Sequence, residues 1–150
     1  MANPLTLLLP VIPGTGLQTI IDTLTKINPQ VEAALNSVGT VHYARFLLLD
    51  LSTPNLQPGA GSGPYVLGVV TEYDGDFNAY IQDFAAKLGT IFNELLALAV
   101  GGNAVIPVAD HINEFIAYIQ KNDASQHLPN TGLYQAYTYT VQQILANGSD

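Results

Sequence analysis

The chain has no cysteine among its 150 residues, which excludes disulfides, thiolate metal sites and cysteine nucleophiles. Positive charge is nearly as scarce: Lys26, Arg45, Lys87 and Lys121 are its four bases, against 12 acids, for a formal net charge of −8. Such a chain is repelled by phosphate backbones and anionic lipid surfaces, so neither nucleic acid nor a membrane is an expected partner. Charge of either sign amounts to 11% of residues, where about 25% is usual for globular domains. Long apolar runs are missing too. The best candidate, "LGTIFNELLALAV", is broken by Asn93 and Glu94 and falls short of the roughly 18 residues a membrane span needs. The opening "MANPLTLLLPVIPG" has no basic n-region and is interrupted by Pro10 and Pro13, so it does not read as a signal peptide. A cytoplasmic location is the expectation.

What remains is an acidic, strongly apolar chain (48% hydrophobic) of a length that suits one domain, residues 1–150. A weakly charged surface has little to keep it from other surfaces. A homodimer closed over an apolar face is therefore expected, although an exposed groove for a small-molecule ligand would leave the same composition.

"LTLLLPV" (residues 5–11), "TVHYARFLLL" (40–49), "YVLGVVTEY" (65–73) and "LYQAYTY" (133–139) read as four strands. Leu17, Ile20, Ile21, Leu24 and Ile27 recur at helical spacing after Thr15 and Gln18, which form a capping-box pattern. Asn28-Pro29 interrupts that helix, giving one kinked helix or two short ones up to Gly39. Phe77, Ile81, Phe84, Leu88, Ile91, Leu95 and Leu98 mark a long helix capped by Asp74 or Asp76 and stopped by "GGN" at 101–103. Ile112, Phe115, Ile116 and Ile119 mark a shorter one, and "TVQQ" (140–143) opens a terminal helix as a second capping box. The glycosylation sequon at Asn147 reads as a tail. The order predicts an α+β, ferredoxin-like βαββαβ domain with extra short helices and an antiparallel four-stranded sheet. Its helices would cover one sheet face, leaving the other for a second copy.

"LTLLLPVIPG", "GTVHYARFLLLD" and "VVTEYDGDFNAYIQDF" together resemble a group of largely uncharacterised bacterial proteins in which a "HFARF"-type strand precedes a "YDG" turn into a helix. The resemblance covers about residues 5 to 140 and implies an architecture similar to the dimeric α+β-barrel proteins. That wider class includes small monooxygenases and haem-binding enzymes, so it implies no single activity. It carries no catalytic residue onto this chain.

Strand alternation puts Val41, Tyr43, Arg45, Leu47 and Leu49 on one face and His42, Ala44, Phe46 and Leu48 on the other. If the second set packs under the helices, Arg45 and Tyr43 look out from the open side. A buried guanidinium needs a counter-ion, and Glu72, Asp74 and Asp50 are the candidates. A ligand carboxylate would serve as well. His42 reads first as a core histidine and second as a catalytic or haem-ligating one. His111 and His127 read as solvated, and no pair of histidines has metal-ligand spacing, so no metal is expected. Glu72, Asp74 and Asp76 read as turn and cap residues. Serine lacks a nucleophile elbow, and "GAGSG" lacks the lysine of a phosphate loop.

Two functions follow as expectations. One is a small self-associating domain of otherwise unknown role. The other is a small-molecule binder or enzyme, monooxygenase-like or haem-binding, with a pocket near Arg45, Tyr43, Tyr73, Glu72 and His42.

Overall fold

The computed structural model describes residues 1–148. Three strands, β1 (Ala2–Pro10), β2 (Val41–Asp50) and β3 (Tyr65–Asp74), form an antiparallel sheet in the order β1-β3-β2. Four helices accompany them: α1 (Leu17–Val38), α2 (Phe77–Leu96), α3 (Ile112–Asn122) and α4 (Val141–Asn147). None of the described helices is long and apolar enough to cross a membrane.

Period-two alternation sorts the sheet. Leu5, Leu7 and Leu9 pair with Thr71, Val69 and Leu67, and all six are buried beneath the helices. Ala44, Phe46 and Leu48 continue the same layer on β2 but are only half-buried, because β2 is an edge. Across the core, Tyr73 stacks on Tyr80 with ring centroids 4.1 Å apart, while Phe92 meets Phe84 at 5.0 Å and Phe115 at 5.8 Å. These aromatic contacts tie β3, α2 and α3 together.

Several expectations need correction. Residues 133–139 are not a strand, so the described sheet has three strands rather than four. In a βαββαβ domain the fourth strand pairs with the outer edge of β1, and that edge is occupied. The Thr6 amide donates to Asp123 Oδ1 at 2.9 Å, the Ser125 hydroxyl donates to the Pro4 carbonyl, and the Val100 amide donates to the Pro10 carbonyl. The capping box at Thr15 does not form either. The Thr15 hydroxyl donates to the Ile12 carbonyl at 2.7 Å, and α1 starts after Gly16 with no side-chain cap. Helix α1 runs unbroken through Pro29 and ends at Gly39, whose φ of 73° is the left-handed conformation glycine tolerates best. Asp76 caps α2 through the Ala79 amide, and the Thr140–Gln143 capping box is present at α4. The sequon at Asn147 extends to Ser149, outside the described residues.

Candidate functional site

β2 is not regular. Its register against β3 shifts between Val41, opposite Tyr73, and Tyr43, opposite Glu72, so His42 is an extra residue in a β-bulge. The alternation expected for Thr40–Leu49 therefore holds only beyond the bulge. Val41 packs on the core, whereas an unbroken strand would put it beside Tyr43 on the open face. Nothing in the residue types around His42 signals this insertion.

The bulge turns His42 toward the end of β3. Its Nε2 lies 2.9 Å from Asp74 Oδ1, with both side chains about 12% exposed. The other oxygen of Asp74 accepts from the Val141 amide at 2.7 Å, the first residue of α4. Asp74 thus ties the sheet to the C-terminal helix.

Tyr43, Arg45, Leu47 and Leu49 look out from the helix-free face, opposite Glu72, Val70, Gly68 and Val66 of β3. Tyr43 donates to Glu72 Oε1 at 3.2 Å. Burial, and then the Glu72 carboxylate, raise the Tyr43 pKa, while Arg45 works in the other direction. The C-terminal segment brings Tyr134 to the same corner, and burial followed by Glu72 raises its pKa as well.

Arg45 is exposed and forms no ion pair with any described residue. Among the described residues the ion pairs are Lys26–Glu94 and His42–Asp74. Each carboxylate proposed as its counter-ion is engaged elsewhere: Glu72 by Tyr43, Asp74 by His42 and Val141, and Asp50 by the loop that follows it. Asp50 is fully buried, and its Oδ1 accepts from the Ser52 amide and hydroxyl and from the Gly63 amide.

The five residues singled out from the sequence therefore divide. Tyr43, Glu72 and Arg45 share the open face. His42 is held apart by Asp74. Tyr73 lies on the helix side, 2% exposed, so it does not join Arg45 and Tyr43. Arg45 also stands at the rim of a groove of about 520 Å³ between β2 and α1, lined by Leu24, Thr25, Asn28 and Pro29. Beneath it an apolar cleft of about 40 Å³ reaches Val31, Leu35 and Phe84.

Asp123 is a further carboxylate, which the spacing of apolar residues does not single out. It is fully buried, and its Oδ1 receives the Thr6 and Ser125 amides and the Ser125 hydroxyl. The shared pattern Asp-x-Ser, at Asp50 and again at Asp123, was the available signal for both carboxylates. Among the described residues no group of three or more histidine or acidic side chains is arranged to hold a metal ion. In comparisons with known proteins, no family model, no curated protein and no solved structure matches the chain.

Proposed function

We propose that this chain is a small self-associating domain whose open sheet face closes against a second copy. The observation that supports it is the composition of that face. Thr6, Leu8 and Pro10 of β1, Val66, Gly68 and Val70 of β3, and Leu47 and Leu49 of β2 form an uncharged patch on it, with Arg45, Tyr43 and Glu72 at one end. Leu8 is 39% exposed, and Leu47, Leu49, Val66 and Val70 are half-buried. Of the acids, Glu72 is on this face, at its edge beside Arg45 and Tyr43, outside the uncharged patch. Two copies can therefore approach through this patch without bringing their acids together, and removing its apolar surface from water favours association.

This reading includes the ferredoxin-like fold and the resemblance to the bacterial group with the "HFARF"-type strand. The β1-α1-β2-β3-α2 order and the one-sided helices agree with it. A monooxygenase-like or haem-binding role has less support, because the cleft beneath Arg45 is only about 40 Å³, the larger groove beside it is open to solvent, and His42 already pairs with Asp74.

Light scattering tests the proposal. The chain should be a dimer at micromolar concentration, and Leu47→Asp should make it a monomer without loss of helix content. A wild-type monomer at those concentrations overturns it.

A further inference from the structure

We propose that the free edge of β2 and the groove beside it bind an extended peptide segment of a partner protein by strand addition, with apolar residues flanking an acidic one that meets Arg45.

The two edges of the sheet are treated differently. On β1 the outward-facing backbone groups belong to residues 4, 6, 8 and 10, as the bonds of Pro4, Thr6 and Pro10 to other segments show. Pro4 and Pro10 have no amide to offer, and the Thr6 amide is taken by Asp123. That edge is blunted in the ways proteins use to prevent pairing. On β2 the Asp50 amide donates away from β3, to the Leu56 carbonyl, so the alternate residues Ala44, Phe46 and Leu48 also point outward. None of these three is a proline, and among the described residues no other segment pairs with them.

What lies beside that edge suits a strand. The side chains of Ala44, Phe46 and Leu48 are half-buried on the helix side, and α1 stands off from them to leave the groove. Pro29 has no N–H for the Thr25 carbonyl, so α1 presents an acceptor at the groove wall. The apolar cleft below can receive a side chain. In strand addition, main-chain hydrogen bonds supply affinity and alternate side chains supply specificity. A residue added opposite Arg45 shares its face, and the residues on either side of it turn toward the cleft. Arg45 is exposed, forms no ion pair among the described residues, and is the chain's one arginine. A carboxylate from outside completes it.

A second copy fits this edge less well. Antiparallel pairing that uses Ala44, Phe46 and Leu48 of both copies puts Arg45 opposite the other Leu47, with the two guanidiniums on the adjacent diagonal. A shift one way sets the arginines face to face. A shift the other way requires the Asp50 amide, which Leu56 already holds.

The test uses labelled seven-residue peptides with valine–glutamate–valine at the centre, read by fluorescence anisotropy. The glutamate peptide should bind, and a lysine peptide should bind at least tenfold more weakly. A copy N-methylated at the edge-facing amides should not bind. Arg45→Glu should reverse the preference, and Arg45→Gln, which keeps an uncharged stem should the reversal fail to fold, should abolish it. No binding of the glutamate peptide overturns the proposal, as does equal binding of glutamate and lysine peptides to the wild type. Unchanged binding of the methylated copy does the same. So does protection of the Ala44, Phe46 and Leu48 amides from exchange that rises with protein concentration alone, since a second copy would then hold the edge.

Discussion

Asp74 stands between His42 and Val141: one carboxylate oxygen lies 2.9 Å from His42 Nε2, and the other accepts the Val141 amide at 2.7 Å. A bulge residue, the end of a strand and the start of a helix converge on a single side chain. The three positions are far apart in sequence, and the carboxylate gives them one shared contact.

Asp74→Ala should therefore cost more than His42→Ala. Removing the carboxylate leaves both the imidazole and the Val141 amide unpaired, and each unpaired group in a mostly buried setting costs about 1 to 3 kcal/mol. Equilibrium denaturation measures the difference. Limited proteolysis should show α4 released first in Asp74→Ala, because its second anchor, the Gln142 amide on the Gly39 carbonyl at 2.8 Å, is exposed.

Asp123→Ala should destabilise by about 3 kcal/mol or more, since it strands the Thr6 and Ser125 amides together. The cost should be visible in hydrogen exchange as faster exchange of the Thr6 amide. Asp123 does for the β1 edge what a fourth strand would otherwise do.

Asp50 should respond to acid. The Ser52 hydroxyl, then the Ser52 and Gly63 amides, hold its pKa below the usual carboxylate value in spite of its burial. Its contribution to stability is thus present above the unfolded pKa of about 3.9 and is lost as pH falls through the folded one. Ser52→Ala should move the Asp50 titration upward, as followed by carbon-detected NMR. Gly61→Ala should open the same loop, because a β-carbon there would collide with Asp50 Oδ2 and Ser52 Oγ.

Tyr73 and Tyr80 should be the last tyrosines to ionise. Burial, helped at Tyr73 by the charge of Asp123, pushes each to about 12. A hydroxyl whose pKa is raised on folding contributes stability below the unfolded value of about 10, and that contribution disappears as pH rises toward 12. Absorbance at alkaline pH should show two late tyrosines whose ionisation coincides with unfolding. Tyr80→Phe should remove one of them, along with the 3.2 Å contact to Thr71.

Local spacing was enough to read much of this molecule. The apolar runs of β1 and β3, the four-and-three steps of α2, an aspartate cap at 74 or 76 and the Thr140–Gln143 box are visible in the sequence because each depends on neighbours within one or two turns. The outward placement of Arg45 and Tyr43 follows from the same period-two rule. Tertiary structure decided the rest, because it turned on competition between distant groups. Asp123 reaches Thr6 across 117 positions and shuts the edge a fourth strand would need. His42 left the strand's alternation to meet Asp74, 32 residues away. Glu72, Asp74 and Asp50 were each an adequate counter-ion for Arg45 on paper. Only the folded chain shows all three committed to other donors, with the guanidinium in no ion pair among the described residues.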